Sequence, residues 1–346
     1  MNELSPLAEQ VLAVVVPLFV AASVTVWLTV VVRAFGPGRV VPHQPRRPVP
    51  WDLRDLLLIG IAYVTMQLAA GLAVGPQALP RSIARLLIAS TLANVLTLVC
   101  ALVILIHRAG ATAADLGLPG RRGPRDMKLG VLAFLALVVP VFALNALMAH
   151  LLETPYEHPV KNLLENQPTV ANLLLCTLLA GVVAPVVEEV LFRLVLQGWL
   201  ERVECRLLGD SIKAEAAVED AAEEEGEFSP ACGAADDVTE LAELDDANPY
   251  AATMPERAEL SGESEPPAEM RGELPGYPRG LVPVLCSSTL FALAHWGHGA
   301  APIPLFALAL GLGYLYLRTH RVLPCILVHL LLNGTSLAMM WLAALP

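Results

Sequence analysis

Apolar residues gather into eight stretches, at roughly 11–32, 56–75, 83–106, 129–151, 170–200, 281–298, 301–317 and 322–344, parted by charged or proline-rich breaks. About 20 apolar residues at 1.5 Å per residue cross a hydrocarbon core roughly 30 Å thick. Lipid offers no partner to an open backbone, so these stretches read as helices rather than strands. The pattern predicts an all-α fold, a polytopic membrane bundle of about eight transmembrane helices. The first stretch follows Met1 to Gln10, which hold Glu3 and Glu9 and no Lys or Arg. Without a basic n-region it reads as a retained helix, not a secretory signal.

The polar breaks give the chain a direction. The first loop carries Arg33, Arg39, Arg46, Arg47 and Arg54, the third carries Arg108, Arg121, Arg122, Arg125 and Lys128, and the seventh is Arg318, Thr319, His320 and Arg321. Basic loops stay on the cytoplasmic side, which puts both termini outside. Arg81 and Arg85 in the second loop run against this, whereas Glu153, Glu157 and Glu165 in the fourth agree with it.

Composition sharpens the picture: 55% apolar, 16% charged and a mean hydropathy of +0.60 place the chain in a membrane, as a multi-pass integral protein in contact with lipid. The net charge of −11 comes from one segment, since Glu201 to Glu273 holds 22 acidic and 5 basic residues while the remainder is mildly basic. Residues 203–278 are Glu-rich, contain Pro and are poor in aromatics, and are expected to be a disordered cytoplasmic insertion. The expected organisation is therefore N-terminal membrane helices over 1–168, a core over 169–202 and 279–346, and the acidic insertion between its halves. No basic patch calls for a nucleic acid partner. Cys100, Cys176, Cys205, Cys232, Cys286 and Cys325 form no C-x-x-C pair and no disulfide framework. The pairs Gly71/Gly75 and Gly311/Gly313 suit close helix packing and carry no functional assignment.

The chemistry lies in the fifth stretch, where Pro185, Val186, Val187, Glu188, Glu189, Val190, Leu191, Phe192, Arg193 puts three ionisable groups into an apolar helix. Such groups persist where they face a bundle interior or a water-filled cavity. Glu189 and Arg193 are four apart on one helical face, in the favourable order, and are expected to pair. Glu188 is turned about 100° away and has no such local partner. Pro185 removes a helical hydrogen bond just upstream, which opens the helix to water beside Glu188. The sixth stretch adds Phe291 and His295, followed by Trp296, Gly297 and His298, and the eighth adds His329 and Asn333 one turn apart. Taken singly these are interhelical contacts, and His298 is an interfacial residue. A carboxylate, two imidazoles and an amide on three spans form a catalytic or ion-conducting set. His150, Glu153, Glu157 and His158, beside Pro155 and Pro159, read as a solvated interfacial loop.

The ordered motifs E-E-x-x-x-R (Glu188, Glu189, Arg193), F-x-x-x-H (Phe291, His295) and H-x-x-x-N (His329, Asn333) resemble those of the CAAX-processing and bacteriocin-processing membrane proteases, the Abi-type proteins. The resemblance covers the last four spans. Two departures are Leu194, where family members often have Gly, and the acidic insertion between the first two motifs. The resemblance implies an intramembrane endopeptidase that needs no cofactor and cuts a membrane-associated or lipid-modified protein or peptide. It implies that Glu188 and His295 activate a water, that His329 and Asn333 donate to the oxyanion, and that Glu189, Arg193 and Phe291 support them.

A zinc reading of Glu188, His295 and His329 competes with this, but no H-E-x-x-H is present and Asn333 is a poor zinc ligand. Two further alternatives stay open: a non-catalytic scaffold or immunity protein of the same fold, and a proton-coupled transporter in which Glu and His form a relay.

Overall fold

The computed structural model describes residues 6–35, 40–41, 44, 48–75, 80–118, 122–152, 159–208 and 280–344. They are all-α: α1 Pro6–Phe35, α2 Leu53–Val74, α3 Pro80–Val103 prolonged by a π-helical turn over Ile104–Arg108, α4 Gly123–Leu152, the short α5 Pro159–Asn166, α6 Val170–Leu208, α7 Leu281–Ala294, α8 Pro302–Thr319 and α9 Val322–Ala344. Among the described residues, seven helices are long and apolar enough to cross a membrane. Their outer faces carry exposed Leu, Val and Ile, the surface a bilayer solvates. The chain is a multi-pass integral membrane protein.

Seven of the eight expected spans coincide with these helices; the sixth differs. In place of a span over 281–298, α7 is a 14-residue helix, about 21 Å long and shorter than the core of a bilayer. It stops because His295 leaves helical geometry (φ −99°, ψ 14°), and Gly297 and Gly299 then take positive φ to turn the chain into α8. His295 thereby sits at a helix end. The acidic insertion needs a smaller correction. Its first residues, 203–208, continue α6 as helix, because Arg202 bonds the carbonyls of Pro50 and Trp51 and Glu204 accepts from the Gly280 N–H. Residues 209–279 lie outside the described residues, as do Arg39, Arg46, Arg47, Arg121, Glu153, Glu157 and His158.

Charged side chains tie the helices together at the end of the bundle from which the insertion departs. Asp52 caps α2, and the backbone N–H groups of Asp55 and Arg54 hold its carboxyl below the ordinary value. Arg108 pairs with Asp55, Arg321 with Asp126, and His320 Nε2 lies 3.2 Å from Glu201. The same end holds Arg54, Arg122 and Arg318, described residues of the loops predicted to be cytoplasmic.

Two glycine pairs behave differently. A Cβ on Gly311 would meet Leu137 of α4 at 2.7 Å and one on Gly313 would meet Val284 of α7 at 2.9 Å, so both permit close helix approach. Gly71 and Gly75 have nothing within 4 Å. Gly117 sits in a turn with φ +64° and a would-be Cβ 2.8 Å from the His320 carbonyl oxygen. That neighbour is backbone and cannot rotate away. Gly117→Ala is expected to cost about 1–3 kcal/mol of stability, read as an earlier thermal unfolding transition in detergent.

The core that positions the site lies where α4, α8 and α9 meet, with Phe134, Leu308, Leu312, Tyr316, Cys325 and Val328 in one cluster. A second cluster packs Trp51, Ile59 and Leu105 against Val190, Leu194 and Val195 of α6, on the opposite flank of the ionisable run. Leu194, the residue that departs from the family pattern, is therefore a buried packing residue. α1 is peripheral and joins α4 through a Trp27 indole bond to the Ala136 carbonyl and an edge-to-face contact of Phe19 with Phe134.

Candidate active site

Glu188 and Glu189 lie in a six-residue α-helical segment, Ala184–Glu189, between two π-helical segments, Thr177–Val183 and Val190–Gln197. π-Turns inside α-helices shift side-chain register and recur at functional sites. Here the shift has a visible cause. In the π register the Ala184 N–H bonds the Leu179 carbonyl, five residues back. The next carbonyl in that register, Ala180, would await Pro185, which has no N–H. Asn333 of α9 supplies the missing donor, its Nδ2 bonding the Ala180 oxygen at 2.9 Å. The sequence reading of Pro185 as a break beside Glu188 thus meets its counterpart in a side chain 153 residues away.

A double-mutant cycle follows. Asn333→Leu strands the Ala180 carbonyl and is expected to cost about 1–3 kcal/mol of stability, while the same change in a Pro185→Ala background costs less than half as much, because residue 185 then has an N–H to offer. Thermal melts of the four proteins give the coupling.

Beyond the bend, the expected pair is present: Arg193 Nε lies 3.2 Å from Glu189 Oε2, and neither side chain reaches solvent. Glu189 also faces His329, its Oε1 lying 2.9 Å from Nδ1. A carboxylate that already serves Arg193 accepts only, so Nδ1 carries the hydrogen and Nε2 is turned toward Glu188 Oε2, 3.7 Å away. Both glutamates therefore meet one imidazole from different sides. Glu188 lacks a partner on its own helix, as the spacing predicts, and finds one on α9. It is also the more open of the two, with 27% of its side chain exposed.

Phe291 of α7 is fully buried at the junction of these groups. Its ring stands 4.9 Å from that of His295, 5.8 Å from that of His329 and 5.1 Å from that of Phe192, and the Arg193 guanidinium lies over it at 5.4 Å. Ser287, one turn back on α7, lies 3.4 Å from Arg193 Nη1. His295 Nδ1 is 2.9 Å from the Phe291 carbonyl. A carbonyl oxygen only accepts, so this bond fixes the hydrogen on Nδ1 and leaves Nε2 with a lone pair.

Glu188, His295, His329 and Asn333 line a common cavity of about 460 Å³. The motifs read separately in the sequence are thus brought to one chamber, with Glu189, Arg193 and Phe291 packed behind it. The cavity includes groups that the sequence reading passed over. His298, read as interfacial, is on its wall, its ring 6.1 Å from that of His295, together with Asn94, Asn145 and Ser336. The signal for Asn94 was present, since Ser90, Thr91 and Asn94 recur at helical spacing within an apolar span. Among the described residues no three His, Cys, Asp or Glu side chains are grouped so as to hold a metal ion.

Residues 270–335 match the family model described as Rce1-like, type II CAAX prenyl endopeptidase Rce1-like. The matched stretch contains Phe291, His295, His329 and Asn333, whereas Glu188, Glu189 and Arg193 lie before it, across the insertion. No curated protein and no solved structure matches the chain.

Proposed function

With residues 270–335 CAAX-protease-like and of the Abi type, we propose that this protein is an intramembrane endopeptidase that hydrolyses a membrane-associated peptide or protein with a water activated by Glu188 and His295. The observation that carries this reading is the convergence of Glu188, His295, His329 and Asn333, from three helices, on one cavity. A carboxylate and an imidazole lone pair accept from the two hydrogens of a water, and attack on the scissile carbonyl delivers one proton to Glu188. Glu188 then returns it to the leaving amine. No covalent intermediate is needed.

His329 and Asn333 are the oxyanion donors. One N–H of the Asn333 amide serves Ala180, and the second remains for the oxyanion. For His329 the Glu189 contact sets the condition: with Nδ1 committed to Glu189, Nε2 donates only in the imidazolium form. In that form Glu188, Glu189, Arg193 and His329 sum to zero charge, which suits a group of ions inside a membrane. Glu189 and Arg193 therefore act as positioning residues, through His329. Each preorganised donor contributes on the order of 10²–10³ in rate.

The substrate class follows from the site's place in a membrane bundle and from its apolar walls, which include Phe142, Leu305 and Met340. A hydrophobic or lipid-modified segment enters such a chamber at low cost. Cleavage of quenched-fluorescent peptides, lipidated and unlipidated, by detergent-purified protein tests the reading, with proton flux in vesicles measured in parallel. The expected result is cleavage that survives a zinc chelator. Glu188-dependent proton flux without cleavage would instead support a transporter, which the chain of contacts from Glu188 through His329 to Glu189 also allows.

A further inference from the structure

We propose that Ser90, Thr91 and Asn94 of α3, together with Asn145 of α4, form a binding track for the main chain of an extended peptide, on the cavity wall contributed by α3 and α4. The assignment rests on the peptidase reading and adds to it the part of the substrate that the site grips.

α3 turns Leu87, Ser90, Thr91 and Asn94 toward the cavity, the i, i+3, i+4, i+7 face of a helix. Three of these four are polar. The lipid-facing positions beside them, Ile88, Leu92 and Val95, are apolar and exposed. A membrane helix gains nothing from hydroxyls and amides unless they find partners, since an unpartnered polar group taken out of water is costly.

The partners within the protein are incomplete in a directed way. Asn94 Oδ1 accepts from Gln67 Nε2 of α2 at 2.5 Å. That bond fixes which end of the amide is occupied and leaves the Asn94 N–H groups as donors. Thr91 gives its hydroxyl hydrogen to the Leu87 carbonyl at 2.9 Å, which leaves the oxygen able to accept. Asn145 lines the cavity and makes no hydrogen bond with any described residue, so its amide offers donor and acceptor alike.

Donors and acceptors without a fixed charge suit peptide N–H and C=O groups. An anionic headgroup would call for Arg or Lys, and neither lines the cavity. The spacing fits as well. Successive same-side groups of an extended chain repeat every ~6.6–6.8 Å, and four residues of helix advance about 6 Å, so Ser90 and Asn94 meet two neighbouring positions of one strand. A peptide drawn into an apolar chamber must have its backbone satisfied, and this wall is where uncommitted amides and hydroxyls lie.

Binding is read in the Glu188→Gln protein, as photochemical capture of a benzophenone-bearing hydrophobic peptide in detergent, so that turnover does not enter. Asn94→Leu and Asn145→Leu are each expected to lower capture by about tenfold, the loss of one or two hydrogen bonds to the ligand. Asn145→Gln keeps most of it, and Leu92→Ala, on the lipid face of the same helix, leaves it unchanged. In the hydrolysing protein the two Leu variants raise KM with little change in kcat. Capture by both Leu variants within twofold of the parent would overturn the track and leave the peptidase reading standing. Failure of the Glu188→Gln parent to capture any peptide would overturn both.

Discussion

Arg193→Met is expected to cost about 3–5 kcal/mol of stability, a large part of the 5–15 kcal/mol that holds a typical domain folded. Arg193 and Glu189 are both fully buried, so removing the guanidinium leaves a carboxylate inside the bundle with only His329 to compensate it. The loss shows as a low thermal transition and poor recovery of monodisperse protein in detergent. Removing both charges tests the cause. Glu189→Met combined with Arg193→Met eliminates the stranded ion and is expected to restore most of the stability, since packed apolar residues replace buried ion pairs at little cost. On the peptidase reading, cleavage does not return, because His329 Nδ1 then has no acceptor to orient the ring. A double variant that folds and cleaves normally would remove Glu189 from the positioning role.

Glu188→Gln is expected to lower kcat by about 10²–10⁴-fold while leaving the fold intact, the usual worth of a general base. The glutamine amide keeps the size of the carboxylate and its hydrogen-bonding reach, so packing around the cavity is retained. It cannot take a proton from water. Because Glu188 is partly exposed to the cavity and its nearest charged partner is 3.7 Å away, neutralising it strands no tightly bound ion. The two carboxylates, adjacent in sequence, therefore separate experimentally: change at 188 is expressed in rate, and change around 189 in stability first.

Much of this was legible in the sequence because membrane helices obey a strong local rule. A run of apolar residues long enough to span lipid has no stable alternative to a helix, and the long spans appear near their expected places. The Glu189–Arg193 pair was equally legible, since i,i+4 spacing fixes proximity without tertiary information. What the sequence left open depends on contacts between distant segments. Nothing near Glu189 announces His329, which is 140 residues away. The α7 boundary was missed because Trp296 and the alanines at 300 and 301 extend the apolar signal past the point where Gly297 and Gly299 turn the backbone. Asn333 was read as an interhelical contact or an oxyanion donor, but its partner, the Ala180 carbonyl, became visible only once the π register beside Pro185 was known. The polar face of α3 was present at helical spacing but was masked by the mean hydropathy of its span, which averages over both faces.

The most direct test is mass spectrometry of a lipid-modified peptide incubated with the purified protein in liposomes, beside the Glu188→Gln protein and with a chelator in each arm. Two fragments whose masses sum to the peptide plus one water, formed by the unaltered protein with or without chelator and absent with Glu188→Gln, are the predicted result. The same fragments appearing at equal rate with Glu188→Gln would contradict it.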